Sequence, residues 1–167
     1  MKEFRSFGSA EQSLLSKSHK QQSYNEIYAE PENFLEIEVT NPITHHTNNG
    51  EYTNETFTDY EIICKTNLPN FKLKYSKVRR RYSDFEFFKK CLLKEMNLLG
   101  NSSYNSSRIN IPHLPGKIFL SNRFNNEVIE ERRQGLNKWL NSVATHPLLQ
   151  SSSHILVRFI QNEKFIG

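Results

Sequence analysis

The chain has 167 residues, with 22 basic and 18 acidic side chains and a formal net charge of +4. A chain of this length normally forms one domain that buries a hydrophobic core without disulfides or metals. No apolar stretch approaches the length that crosses a bilayer, and the first residues lack the apolar region of a secretory signal, so we expect a cytoplasmic protein.

The two cysteines, Cys64 and Cys91, stand far apart and outside any CxxC or Cys/His cluster, which predicts reduced thiols. The histidines lie largely in loop-like segments, and we expect His45 and His46 to belong to a flexible polar loop. The sequence has no recognisable nucleophile elbow, HExxH motif, P-loop or paired-carboxylate motif. We therefore expect no catalysis, no cofactor and no metal site.

Residues 1–32 are rich in serine, glutamine, lysine and glutamate without a sustained hydrophobic period, so we predict a disordered or partner-ordered tail. Alternating apolar side chains predict three strands, over 34–39, 57–66 and 74–82. Asn41 and Pro42 are expected to end the first strand and to open a polar loop. Short connections between the strands favour an antiparallel meander.

Ser83, with Glu86 three residues later, has the pattern of a capping box, so a helix is predicted to start there and to include Leu99. The prolines at 112 and 115 predict an extended segment from Ile111 to Lys117. Apolar stripes with helical spacing predict a second long helix over about 125–145 and a last helix over 153–165.

Positive charge is concentrated in residues 65–90, which carry nine basic and two acidic side chains, a net charge of +7 against −3 elsewhere. Residues 71–81 hold six of these cations and no acid, so we expect this stretch to face an anion or open water. A membrane surface, nucleic acid or an acidic protein is the kind of partner that such asymmetry favours. An ordinary solvated surface is an equal alternative.

Three cations stand where they favour an anionic ligand. Arg81 ends the third strand and precedes the aromatic Tyr82, a pairing that suits a phosphorylated sugar or polyol. Lys117 follows the proline segment, and Arg132 falls near the middle of the apolar stripe of the second long helix. Taken singly, each is more simply a solvated or locally paired side chain. The local partners available to Arg132 are Glu127 and Glu131.

Three segments together resemble the phox-homology (PX) domain of the sorting nexins, in particular the sorting nexin-3 subgroup. They are Arg80–Phe85, Pro112–Lys117 and Glu130–Leu136, and the similarity spans roughly residues 33–162. The resemblance implies an α+β fold in which a three-stranded antiparallel sheet packs on a helical subdomain, with an extended proline-rich segment between helices. It also implies three parts of the chain: the tail 1–32, the PX domain 33–162 and a short C-terminal end 163–167.

The ligand that the resemblance implies is phosphatidylinositol 3-phosphate on endosomal membranes. Carried over from the matching motifs, Arg81 would hold the 3-phosphate and Tyr82 would pack on the inositol ring. Lys117 would contact the 1-phosphate, and Arg132 would bond the hydroxyls at positions 4 and 5.

Three neighbouring residues are candidates for accessory roles. Phe119 and Leu120 follow Lys117 closely and are candidates for insertion into the bilayer, with completion of the protein core as the alternative. Ser83 stands beside Arg81, so a phosphate on its hydroxyl would compete with the lipid for that arginine.

The partners implied by the resemblance are the retromer coat and the tails of its cargo, with the segment before residue 33 supplying part of the coat contact. The expected role is that of a monomeric peripheral adaptor that retrieves membrane proteins from endosomal (prevacuolar) membranes to the Golgi. The alternative is a nucleic-acid-binding module in which Lys77–Arg81 tracks phosphates and Tyr82 stacks on a base. The shortness of the basic run counts against that alternative, so no nucleic-acid partner is expected.

Overall fold

The computed structural model describes residues 32–48, 54–100, 109–116 and 124–165. Within these ranges the chain forms three strands, β1 (Leu35–Asn48), β2 (Asn54–Thr66) and β3 (Tyr75–Arg81). The same ranges contain four helices, α1 (Tyr82–Gly100), α2 (Asn126–Ala144), α3 (Pro147–Ser152) and α4 (His154–Gln161). None of the helices described is long and apolar enough to span a bilayer.

The strands form one antiparallel sheet in the order β1-β2-β3, so the predicted meander is confirmed. One face of the sheet carries the buried side chains and packs on the helices, which gives the predicted α+β architecture. The fully buried aromatic and aliphatic side chains come from both layers, and they include Val39, Tyr60, Ile62, Phe85, Phe88, Leu92, Leu136, Leu140 and Phe159.

The first strand is longer than predicted, because Asn41 and Pro42 do not end it. Asn41 adopts the left-handed conformation with φ 43°, and the pairing with β2 shifts between Thr40 and Ile43. This irregularity absorbs the two residues, and proline is tolerated because β1 lies at the edge of the sheet. The prediction of a loop from residue 41 onward is therefore wrong for residues 41–48.

The histidine pair lies in the extended part of β1, so its assignment to a flexible loop is also wrong. His45 stands opposite Phe57 of β2, and the two rings stack with centroids 4.9 Å apart. The Nε2 atom of His45 is 2.9 Å from a carboxylate oxygen of Asp59. His46 stands opposite Thr56 and contacts its hydroxyl at 3.2 Å.

Helix α2 is fixed to the open edge of β1 by polar side chains. The side-chain oxygen of Asn137 accepts the Val39 N–H at 2.9 Å, and Asn141 donates to the Ile37 carbonyl at 3.0 Å. Arg133 donates to the Val39 carbonyl at 2.8 Å. These bonds satisfy backbone groups that a further strand would otherwise pair, and they fix where the side chains of α2 lie relative to the sheet.

Helix α1 begins at Tyr82, one residue before the predicted start at the expected cap, Ser83. The carboxylate of Asp84 accepts the Arg81 N–H at 2.7 Å, which is the reach-back half of a capping box. The sequence pattern pointed instead to Glu86, three residues after Ser83, for a capping carboxylate. Asp84 lies in the first helical turn, where a negative charge also favours the helix dipole.

The other helices follow the prediction in part. The long helix expected over 125–145 is confirmed as α2, with Asn125 as its cap. The predicted last helix is confirmed as α4, with the Ser153 hydroxyl accepting the Leu156 N–H at 3.1 Å, but it ends at Gln161 rather than at residue 165. A short helix that we did not predict, α3, starts at Pro147, where proline occupies its favoured first-turn position.

Candidate functional site

A cavity of about 390 Å³ lies where β3 ends and α1 begins. The residues that line it come from β2, from the β3–α1 junction, from the segment just before α2 and from α2 itself, and they are Glu55, Thr56, Phe57, Thr58, Tyr60, Arg81, Tyr82, Ser83, Phe124 and Arg132. Two of the three cations expected from the sequence, Arg81 and Arg132, therefore share one cavity. Lys117 lies outside the described residues.

Arg81 is held at the cavity by an aromatic ring and a carboxylate. The central carbon of its guanidinium lies 3.3 Å from the centroid of the Phe57 ring. One terminal nitrogen is 3.3 Å from a carboxylate oxygen of Glu55, and 42% of the Arg81 side chain is exposed. An exposed ion pair of this kind contributes little stability, so an incoming anion can replace it at small cost.

Arg132 forms a second cation–ring pair on the same cavity. Its guanidinium carbon lies 4.2 Å from the centroid of the Tyr82 ring, and one nitrogen donates to the Gly116 carbonyl at 3.3 Å. Among the described residues, its Nε is buried and finds no hydrogen-bond acceptor. These contacts differ from the local pairing with Glu127 or Glu131 that was the alternative. They leave Arg132 with donor capacity toward the cavity.

Tyr60 places a buried phenol on the cavity wall beside the charge of Arg132. Burial raises the pKa of Tyr60 above its ordinary value, and the nearby guanidinium of Arg132 opposes the rise. The phenol therefore stays neutral at physiological pH and presents a hydroxyl rather than a second anion.

The extended proline segment forms a fixed wall next to the cavity. The indole N–H of Trp139 donates to the Pro112 carbonyl at 2.9 Å, and the Tyr82 hydroxyl donates to the Pro115 carbonyl. Together with the bond from Arg132 to Gly116, these contacts tie the segment to both α1 and α2. The chain therefore passes the cavity immediately before Lys117.

Gly135 makes this close approach possible. A Cβ atom added at Gly135 would lie 2.7 Å from the Cγ atom of Pro115, well inside van der Waals contact. Sequence reasoning missed this role, although a glycine inside a predicted helix is itself a signal, since it costs about 1 kcal/mol relative to alanine.

The substitution Gly135→Ala is expected to lower ligand affinity without unfolding the protein. The added methyl group must move Pro115, and with it the carbonyls that Tyr82 and Arg132 bind, while alanine improves helix propensity by about 1 kcal/mol. Urea unfolding and binding of the phosphoinositide expected from the sequence, measured side by side, check this, with the exposed helical position Ser142→Ala as control. Wild-type affinity for that expected ligand in Gly135→Ala would contradict the role given to the proline wall.

The sequence predicts that the basic run faces an anion or open water, and for Arg79 and Lys77 the anions are carboxylates of the protein itself. Arg79 pairs with Asp59 at 2.6 Å and with Glu61 at 3.7 Å, and Lys77 lies 3.5 Å from Glu61. Both acids belong to β2 and face the basic residues of β3 across the sheet. Sequence reasoning missed these pairs because each acid precedes its basic partner by 16 to 20 positions.

Arg80 lies in the core and is the clearest correction to that prediction. Its side chain is 2% exposed, and it donates to the carbonyls of Phe159 and Glu163 at 3.0 Å each and to that of Asn162. These are carbonyls at the end of α4, where a cation also favours the helix dipole. Burial lowers the pKa of Arg80 to about 10, so it stays charged at neutral pH. Strand alternation, which buries Val78, was the signal available for placing Arg80 inward.

Of the other residues predicted to act at the site, Ser83 lies among the described residues, and the rest lie outside them. Ser83 is exposed and lines the same cavity as Arg81. Phe119 and Leu120 lie outside the described residues, as does the tail up to residue 31. Among the residues described, no cluster of histidine, cysteine or acidic side chains could hold a metal ion.

Two guanidinium groups, three aromatic rings and the neutral phenol of Tyr60 thus surround one hollow. Guanidinium groups bind phosphate through paired, charge-assisted hydrogen bonds. The rings and hydroxyls suit the face and the hydroxyl groups of a sugar or polyol. The arrangement can bind a phosphorylated ring of modest size, and it carries no evident nucleophile and base pair for catalysis.

Comparison with known proteins gives the family. The family model described as "PX domain" matches residues 68–163. Sorting nexin-3 of Saccharomyces cerevisiae is 68% identical over 99% of both chains. Sorting nexin-3 of Candida albicans is 56% identical over 90% of this chain and 87% of its own. A designed CISK-PX domain of known structure shares the fold, with a TM-score of 0.55 and 23% identity over 75% of this chain and 98% of that one. The chain therefore belongs to the PX-domain family, among its sorting nexins.

Proposed function

We propose that the cavity binds the headgroup of phosphatidylinositol 3-phosphate. Arg81 holds the 3-phosphate, Tyr82 contacts the inositol ring, Arg132 donates to the 4- and 5-hydroxyls, and Lys117 contacts the 1-phosphate. The observation that carries the proposal is that Arg81 and Arg132, far apart in the sequence, line one cavity of about 390 Å³. A volume of this order admits a single phosphorylated ring.

The contacts of Arg132 also support selectivity for a lipid that is unphosphorylated at positions 4 and 5. Its guanidinium is stacked on Tyr82 and bonded to Gly116, so little freedom remains for it to move aside. Its terminal N–H groups other than the one bonded to Gly116 offer donors that a hydroxyl can satisfy. A bulky dianion in place of that hydroxyl would not fit between fixed groups, which disfavours the more highly phosphorylated lipids.

Membrane attachment needs more than the headgroup. Charged hydrogen bonds contribute about 1.5 to 3 kcal/mol each, and each basic residue near an anionic leaflet adds about 1 kcal/mol. We propose that Phe119 and Leu120, which follow Gly116 by a few residues, insert into the bilayer and add roughly 1.5 to 3 kcal/mol. Their position in the chain supports this, since Gly116 is bonded at the cavity.

Vesicle sedimentation with a panel of lipids tests the proposed function. Phosphatidylcholine vesicles containing phosphatidylinositol 3-phosphate should bind the protein. Vesicles containing other phosphoinositides should bind it much more weakly, and so should a free single-stranded oligonucleotide in a separate binding assay. Equal binding to every anion, falling uniformly with salt, would instead indicate generic electrostatics. The nucleic-acid alternative is not proposed, because Arg79 and Arg80 of its basic run have partners inside the protein.

At the level of the cell, we propose a non-catalytic adaptor on endosomal membranes that works with the retromer coat and its cargo tails. The family membership and the near full-length similarity to sorting nexin-3 proteins support this role. Residues 1–32 supply part of the coat contact. Removing residues 1–30 should leave vesicle binding intact and weaken capture of purified retromer. Unchanged retromer capture would refute this assignment.

Ser83 offers a point at which a phosphate would block lipid binding. The variant Ser83→Asp should bind phosphatidylinositol 3-phosphate vesicles about fivefold more weakly, because one negative charge beside Arg81 opposes the lipid phosphate by roughly 1 kcal/mol. Its stability should be unchanged, since Ser83 is exposed in the first turn of α1, where acids are favoured. Ser83→Ala serves as control, and equal binding by both variants would contradict the hypothesis.

A further inference from the structure

Glu55 stands at the rim of the cavity without a role in any of the contacts proposed for the lipid. It lies near the start of β2, and its carboxylate oxygen is 3.3 Å from the terminal nitrogen of Arg81. The Glu55 side chain is 62% exposed, more than the arginine it contacts. A phosphate bound by Arg81 would need the hydrogen-bond donors that face this carboxylate.

The sheet explains why Arg81 pairs with Glu55 at all. In the register of β2 and β3, Asp59 lies directly opposite Arg81 and is its natural cross-strand partner. The Asp59 carboxylate is already engaged, by Arg79 at 2.6 Å and by His45 at 2.9 Å. Glu55 lies four residues before Asp59, on the same face of β2, so Arg81 reaches past Phe57 to contact it.

Phe57, rather than Glu55, keeps Arg81 in place. The guanidinium carbon lies over the Phe57 ring, and that ring also stacks on the imidazole of His45. A charge resting on a ring in this way is stabilised without using its hydrogen-bond donors. Loss of the Glu55 carboxylate would therefore free those donors and leave the guanidinium on its support.

We propose that Glu55 is an internal competitor of the ligand, a carboxylate that occupies the phosphate position on Arg81 until the lipid displaces it. The inference rests on the proposed function of the cavity. Two effects act in the same direction. The ligand must break the pair with Arg81, and the Glu55 charge at the rim repels an approaching phosphate.

The size of the effect follows from the exposure of the pair. An exposed ion pair stabilises by up to about 1 kcal/mol, which corresponds to about fivefold in affinity. Replacing Glu55 by glutamine should therefore strengthen ligand binding by about two- to fivefold. Glu55→Asp, whose carboxylate retreats by one methylene, should give a smaller gain.

The experiment is calorimetric titration with soluble short-chain phosphatidylinositol 3-phosphate, which removes the membrane surface from the measurement. Wild type, Glu55→Gln and Glu36→Gln are compared at the same ionic strength. Glu36 is exposed on β1, opposite Lys65 and thus at the far end of the sheet from Arg81. Both variants remove one negative charge, so a gain confined to Glu55→Gln reports the local contact.

Each outcome decides the inference. Tighter binding by Glu55→Gln than by Glu36→Gln, at unchanged urea stability, supports it. Equal affinities in the two variants overturn the inference and leave the proposed function standing. Weaker binding by Glu55→Gln also overturns it, because the carboxylate would then hold Arg81 in its binding position. If wild type fails to bind the lipid at all, the proposed function fails and the inference falls with it.

Discussion

Replacing Arg81 with alanine should lower affinity for phosphatidylinositol 3-phosphate about 100-fold or more and leave the free energy of unfolding nearly unchanged. Two charge-assisted hydrogen bonds to the 3-phosphate would be lost, at about 1.5 to 3 kcal/mol each. Stability should change little, since the side chain is 42% exposed and its ion pair with Glu55 lies at the surface.

Calorimetry with soluble lipid, together with urea unfolding, separates these two expectations. Lys77→Ala is the matched control, because it also removes one positive charge from β3, at a side chain that is 51% exposed and paired with Glu61. The control should change affinity by no more than about twofold, as expected for a charge away from the site. Equal losses in the two variants would mean that Arg81 acts only through net charge.

Replacing the neighbouring residue, Arg80, with methionine should have the opposite phenotype. We expect a loss of about 2 to 4 kcal/mol in the free energy of unfolding, since several charge-assisted hydrogen bonds disappear and buried carbonyls lose their donor. The methionine fills much of the volume between Phe159 and Phe165, so the folded protein should still bind the lipid.

Urea unfolding measures this loss, and Arg158→Met is its control. Arg158 is exposed on α4, the helix whose carbonyls Arg80 caps, and its replacement should change stability by less than about 0.5 kcal/mol. Lipid binding by Arg80→Met should be measured well below its unfolding midpoint. Wild-type stability in Arg80→Met would contradict the capping role.

The contrast between Arg80 and Arg81 shows what the alternation of side chains along a strand can and cannot predict. Alternation along β3 puts Val78 and Arg80 on the buried face and Arg81 on the other. The sequence therefore contained the information that adjacent arginines have different surroundings. It did not contain the acceptors of Arg80, because they lie at the end of α4, about 80 positions later.

The elements that were predicted well are those with local signals. Helix α2 has an apolar stripe and a capping asparagine, and α4 has a capping serine, so both appear within a few residues of their expected bounds. The continuation of β1 through Asn41 and Pro42 depends instead on pairing with β2 and on the edge position of the strand. Such tertiary pairing overrides a local break signal.

The ligand-binding residues of the candidate site could be predicted from the sequence, but the residues that hold them in position could not. Arg81, Tyr82 and Arg132 were expected to share a ligand, and the structure places all three on one cavity. The ring of Phe57 beneath Arg81 and the space that Gly135 leaves for Pro115 come from contacts between distant segments. No pattern within a single segment indicates those contacts.

The most direct test of the shared site is an NMR titration of the arginine Nε–H resonances with soluble short-chain phosphatidylinositol 3-phosphate. The resonances of Arg81 and Arg132 should shift together and yield one dissociation constant, and that of Arg80, buried against α4, should stay in place. A titration that shifts the Arg81 resonance and leaves that of Arg132 unchanged would contradict the binding of one headgroup by both arginines. Different dissociation constants for the two resonances would contradict it as well.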